Sequence, residues 1–390
     1  MKNPKKIIDF DVIPQIGLKT DILEFNIGMP INETIAILRN NDKLIRSVKL
    51  SYSQKSLESS KIVISLVKEK IDLIFEMGRQ LLERIVLQDI SLYNLFYWGQ
   101  CFRSEGALPN LETILRIFGA TKLSSDREES FELAYKGILF YFDSDKNHPS
   151  FMCQDKDFYQ ILKTQKVEIF SNNLEIPMSS YCGNSFPTTF NIQSAEFPFD
   201  TLRVEYTYVS LGINDKMTLK SANGKINLES HVQDVLSVLG SPNKVFYKTE
   251  DKMRIHLPKN NQITRKTKSS QFLNYFTLGL DVFFETETNR VKKFIFHTNH
   301  VEDYCFSRYF RCPFEMKVEK DCIITPLSKW SKVRETLGLN YNEVKPVVIN
   351  RDSDSKLAKN HAFNYQNIIF EVIPSSDLIS SITIYNGEKM

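Results

Sequence analysis

The chain has 390 residues, 42% of them hydrophobic, and a formal net charge of +3. That length and apolar content exclude a disordered polymer, and the mild charge excludes a dedicated nucleic-acid binder. With Phe 28 and Tyr 16 against Gly 14, the composition favours a strand-rich interior, because aromatic side chains suit a half-buried pleated surface. No apolar run reaches about eighteen residues, and the opening MKNPKKIIDFDVIPQ lacks a signal-peptide core. The expectation is a soluble, cytoplasmic protein. The six cysteines show no CxxC spacing and read as free thiols.

In chain order, a strand over Ile7–Val12 precedes Gly28, Pro30 and a helix over Ile31–Arg39. Strands follow near Val48–Tyr52, Lys61–Val67, Ile71–Glu76 and Leu82–Leu87. A second helix, Leu111–Phe118, stops at Gly119, a residue that tolerates a left-handed C-cap. Phe131–Tyr135 and 137–143 read as strands, with Val167–Phe170 as a closing strand. Ser171–Lys225 reads as an inserted β-rich segment, in which Thr201–Leu211 alternates well. A third run, His231–Thr298, opens with Val232, Val235, Val238 and Leu239 before Gly240. A fourth, Leu327–Asn386, opens with Trp330, Val333 and Leu337 before Gly338. Both spacings put the apolar side chains on one helix face.

Ile71–Leu87, Leu280–Phe296 and Ile368–Ile384 align without a gap, each as apolar strand, polar turn and apolar strand. Strands joined by so short a turn pair as antiparallel hairpins, which excludes a doubly wound parallel sheet. The expected fold class is therefore α+β: repeated helix plus antiparallel-sheet units with an inserted β-rich segment. The expected domains are a first helix/sheet unit over 1–100, a second with the insertion over 101–225, and the third and fourth units over 226–390.

No catalytic motif emerges: there is neither a phosphate-cradling glycine loop followed by Lys-Ser/Thr nor a G-x-S-x-G elbow. His297 and His300, with Cys305 and Cys312 downstream, have ligand-like chemistry but lack a second pair at a zinc spacing. They read more simply as solvated side chains at a strand end and in a turn. Asp72, Glu76, Asp281 and Glu285 recur at matched positions and read as the solvent side of half-buried strands. The unusual stretch is 244–268, with eight Lys/Arg against two acids. Lys244, Lys248, Lys252, Arg254, Lys259, Arg265, Lys266 and Lys268, together with Arg290, Lys292 and Lys293, form the candidate lipid- or partner-binding set. A cluster of this kind suits an anionic membrane or a phosphoinositide headgroup, and equally a loop kept soluble by lysine.

Val232–Met253 (VQDVLSVLGSPNKVFYKTEDKM), Asn274–Phe284 (NYFTLGLDVFF) and Val291–Asn299 (VKKFIFHTN) resemble the phagosome assembly factor family. The resemblance extends to Glu24–Leu38 near the start and to Lys345–Ile349 and Ile368–Val372 near the end; 144–225 departs most from the pattern. It implies a non-enzymatic cytoplasmic protein with no catalytic residues and no cofactor. It also implies a complex with a WD40 β-propeller autophagy protein, gathered at autophagosome-forming membranes, with phosphoinositide recognition belonging to that complex. The sequence-based expectation is thus a scaffold subunit in autophagy-related membrane traffic, with no nucleic-acid partner. The alternatives are a direct phosphoinositide-binding module acting through 244–268, and a hydrolase or metal-dependent enzyme using His297, His300 or the cysteines.

Overall fold

The computed structural model describes residues 8–45, 47–53, 60–104, 106–125, 131–143, 162–171, 204–207, 218–221, 224–247, 270–285, 288–312, 314–319, 322–339, 345–351 and 359–386. They form two compact units, Met1–Ile176 and Pro177–Met390.

In the first unit, β1 (Ile8–Ile13), β2 (Gly17–Lys19), β3 (Glu24–Asn26), β8 (Tyr93–Tyr97) and β9 (Gln100–Arg103) make a five-stranded sheet ordered β3-β2-β1-β8-β9. Its β1–β8 pair is parallel. An antiparallel eight-stranded sheet holds β4 (Val48–Ser51), β5 (Lys61–Leu66), β6 (Ile71–Glu76) and β7 (Leu82–Leu87). It continues with β10 (Leu123–Ser125), β11 (Phe131–Tyr135), β12 (Ile138–Asp143) and β13 (Lys163–Phe170), in the order β10-β11-β12-β13-β7-β6-β5-β4. Helices α1 (Ile31–Asn40) and α2 (Leu111–Phe118) precede its two halves in the chain.

The second unit has the same strand order. β14 (Val204–Thr207), β15 (Thr218–Ser221), β16 (Gly224–Asn227), β21 (Phe314–Glu319) and β22 (Cys322–Ile324) form a five-stranded sheet, again with one parallel pair, β14–β21. The eight-stranded sheet holds β17 (Lys244–Tyr247), β18 (Gln271–Tyr275), β19 (Leu280–Phe284), β20 (Val291–His297), β23 (Val347–Asn350), β24 (Lys359–Tyr365), β25 (Ile368–Ile373) and β26 (Leu378–Tyr385). Their order is β17-β18-β19-β20-β26-β25-β24-β23. The helices are α3 (Val232–Leu239) and α4 (Trp330–Thr336).

This architecture overturns the expected α+β class. The protein is mostly β: four short α-helices stand among twenty-six strands in the described residues. Nor are there repeated helix-plus-sheet units. β7 pairs with β13 and β20 with β26, so each run of four strands is fused to another in one continuous sheet. Within the segment read as an insertion, the described strand β14 pairs with β21 and so joins a five-stranded sheet of the second unit. Alternation along a strand reports which face is buried but carries no information about a partner strand far away in sequence.

The three hairpins aligned by sequence share two local details. Their registers shift at Ile74/Phe75, Phe283/Phe284 and Glu371/Val372. Among the described residues, each turn holds one at positive φ: Gln80 at 59°, Asn289 at 53° and Asp377 at 59°. The carbonyls of these residues accept the first helical N–H of α1, α3 and α4, from Ile31 at 2.9 Å, Val232 at 3.2 Å and Trp330 at 2.8 Å. Orphan donors at a helix start need such acceptors. The second unit's core gathers Phe284, Phe294, Phe296, Phe314, Phe370, Ile382 and Trp330, contributed by both its sheets and α4.

Candidate functional site

Strands β17 to β20 position the described part of the basic cluster. Along β18 and β19, buried Leu273, Val282 and Phe284 alternate with half-buried Phe272 and Phe283, which face away from the core. The register places Phe246, Phe272, Phe283 and Lys293 in one row across four strands. The rings lie 6.4 Å apart between Phe246 and Phe272, and 4.7 Å between Phe272 and Phe283. Lys293 Nζ sits 5.7 Å from the Phe283 ring centre, within reach of its negative face. Phe246 is 52% exposed on the edge strand, and Lys244, two residues earlier on the same strand, is exposed as well.

The remaining described cations are engaged. Lys292 Nζ lies 3.4 Å from a Glu285 carboxylate oxygen, and Arg290 Nη1 donates to the Glu229 carbonyl at 2.8 Å. Tyr247, Gln271, Phe284 and Val291 lie in one row, so β17 ends at the same end of the sheet as the β19–β20 turn that carries Arg290. Lys248, Lys252, Arg254, Lys259, Arg265, Lys266 and Lys268 lie outside the described residues. The cations were legible in the sequence as a charge run. Phe272 and Phe283 were not, because only the strand register shows that they line up.

The histidine region departs from expectation. Residues 298–312 fold back over one part of the outer face and cover it. His297 is stacked on Tyr309 at 3.7 Å between ring centres, and its Nε2 lies 3.0 Å from Asp281 Oδ2. Asp281, read as solvent-facing, is 6% exposed, because Tyr309 donates to both its oxygens at 2.9 and 2.8 Å and Asn274 Nδ2 adds a bond at 2.7 Å. Burial first, and the neighbouring Asp281 charge second, push the Tyr309 hydroxyl's pKa well up. Asp72, Glu76 and Glu285 stay partly exposed.

His300, read as solvated, is 3% exposed. Arg311 lies against it, with Nη2 3.3 Å from Nδ1, and donates from Nε to the Thr298 carbonyl at 2.6 Å. Burial, reinforced by the guanidinium and opposed only by the Pro326 backbone, holds the imidazole's pKa well below its ordinary value. The two histidines therefore do not converge: one meets a carboxylate, the other a cation. Burial also pushes the Cys312 thiol far up and raises Cys305, the opposite of what an activated nucleophile needs. Among the described residues no group of three or more His, Cys, Asp or Glu side chains is placed to hold a metal ion. No described helix is long and apolar enough to cross a membrane.

Comparison with known proteins adds family-level information. The solved structure of the uncharacterized protein yfeY from Escherichia coli matches with 13% identity and a TM-score of 0.26, covering 42% of this chain and 99% of its own. Over 97% of its length the chain is 29% identical to a PHAF1 protein of Drosophila melanogaster, of which it covers 94%. It is 28% identical to one of Caenorhabditis elegans, again over 97% of this chain and 94% of the relative. Against a PHAF1 protein of Arabidopsis thaliana the figures are 26%, 97% and 93%. The model of phagosome assembly factor 1 matches residues 21–385, and the chain belongs to that family.

Proposed function

We propose that this phagosome assembly factor family member is a non-enzymatic scaffold subunit of a complex acting at autophagosome-forming membranes, with a WD40 β-propeller autophagy protein as its partner. The observation that carries the reading is the family match across residues 21–385. The sheet edges support it. Among the described residues β17 and β23 are the terminal strands of one eight-stranded sheet, and β23 leaves Val347 69% and Val348 58% exposed. An edge of this kind offers backbone donors and acceptors to a partner strand. The test is affinity purification of the tagged protein from starved cells. A β-propeller protein in stoichiometric yield is expected; an intact bait that recovers none overturns the reading.

A second reading, direct binding to a phosphoinositide-bearing membrane, is favoured by the Phe246–Phe272–Phe283–Lys293 row beside the exit of the basic stretch. Aromatic rings suit the headgroup boundary, and each cation near an anionic surface contributes about 1 kcal/mol. Replacing Arg265, Lys266 and Lys268 by glutamate, together with Lys293→Glu, should weaken sedimentation with phosphoinositide-containing liposomes more than about tenfold. Unchanged sedimentation counts against this reading, and no sedimentation of the wild type assigns lipid recognition to the partner.

A further inference from the structure

The first unit carries a groove that the proposed role does not use. It encloses about 570 Å³ on the five-stranded sheet, over the parallel β1–β8 pair, where Asp11 lies beside Phe96. One wall is the turn between β2 and β3, and the other is the turn after α1, with Lys43 and Leu44. Thr20 Oγ1 accepts from the backbone N–H groups of Ile22 at 3.1 Å and Leu23 at 2.7 Å, so the first wall is a braced turn.

Two properties of the lining point to one kind of occupant. Ile22 is 64% and Leu44 42% exposed, leaving aliphatic surface at the mouth. Asp9, Asp11 and Asp21 line the groove against a single lining cation among the described residues, Lys43. Lys19, opposite Asp11 on β2, is drawn to Glu24 at 3.7 Å. The groove is therefore locally acidic on a chain whose net charge is +3.

We propose that this groove docks a cationic, aliphatic segment of a partner protein. Its Lys or Arg side chains would face the aspartates, and a Leu- or Ile-like side chain would sit between Ile22, Leu44 and Phe96. The volume lies within the roughly 300–1,000 Å³ of clefts that hold small molecules, and so has room for a side chain of such a segment. Apolar burial supplies the affinity, while the rim charges select the sign of the partner and speed the encounter. The net charge of the chain repels a cationic segment, so such binding requires the local acidic field.

Fluorescence anisotropy of the full-length protein tests this, using short labelled peptides in which Lys or Arg flanks Leu, and matched peptides with Glu in place of the cations. The wild type should bind the cationic peptide and ignore the acidic one. Asp11→Asn with Asp21→Asn should weaken binding about fivefold, the combined effect of two exposed charge pairs. Asp11→Lys with Asp21→Lys should reverse the preference, a result that misfolding cannot produce. Equal binding of both peptides, or full binding by the Asn variant, overturns the proposal. Binding that emerges only after residues 1–7 are deleted would give the groove to the chain's own Lys2, Lys5 and Lys6, and overturns it too.

Discussion

Single residues at the seams and under the covering segment carry measurable energy. Glu168, 4% exposed on β13, is held by Lys166 and Arg84, each at 2.6 Å, where the two halves of the first eight-stranded sheet meet. Burial alone would raise its pKa; the two cations outweigh it and leave the carboxyl below the ordinary 4.5. With the folded value depressed, the stabilisation is fully present above about pH 4.5 and is lost as pH falls through the folded pKa. Glu168→Gln should therefore cost about 1–2 kcal/mol at pH 7, discounted for the half-exposed Arg84, and almost nothing in strong acid. Urea denaturation at both pH values checks this; an equal loss at both would mean that packing, not charge, is what Glu168 supplies. His300 has the same sign for a different reason. It is neutral when folded and protonates more readily when unfolded, so stability should fall as pH drops below 6.5, by up to about 1.4 kcal/mol per unit. His300→Gln should flatten the dependence of the melting temperature on pH between 6.5 and 5; an unchanged slope would assign it to other groups.

At the scale of elements, the covering segment rests on one glycine. Gly279 has φ +65°, and a Cβ there would stand 2.4 Å from the Phe310 carbonyl oxygen and 2.6 Å from the Cys312 amide nitrogen. Backbone cannot swing aside as a side-chain tip can, so Gly279→Ala should cost roughly 2–3 kcal/mol through strain and lost contact. It should also free Cys312, which is 2% exposed, to react with a thiol reagent under native conditions. A protein equally stable and equally unreactive would show that the segment is held elsewhere. Much at this scale was legible in the sequence. The helix over Leu111–Phe118 and the strands Ile71–Glu76 and Leu82–Leu87 occur with the boundaries their apolar spacing implies. What periodicity cannot express is pairing: Val86 against Glu168, or Val204 against Phe314, joins residues with no local relation. Burial of Asp281 and His300 was hidden for a related reason. Polar residues that satisfy one another under a folded-back segment look, in sequence, like polar residues in water.

For the molecule as a whole, each unit owns its sheets. The first builds a five-stranded and an eight-stranded sheet entirely from residues before 171. A fragment of residues 1–176 should therefore fold alone and melt in one cooperative transition, as a domain with its own core does. Calorimetry of the fragment decides; a broad transition with strong dye binding would mean that it depends on the rest of the chain. The candidate site was legible at this scale only as a charge run. Its aromatic row exists because strands from both sides of the basic stretch are aligned in one register.

The hairpin carbonyls that receive the helix starts also set a timetable for synthesis. Ile31 waits for Gln80, Val232 for Asn289 and Trp330 for Asp377, each about fifty residues further along the chain. At about 5–20 residues per second, the ribosome needs several seconds to deliver that acceptor after the helix has been made. The three helices are short, and helices of that length hold poorly by themselves in water. Until its hairpin arrives, each segment lacks the acceptor for its first helical N–H, and Ile31, Val235 and Trp330, buried in the folded protein, have no hairpin to pack beneath.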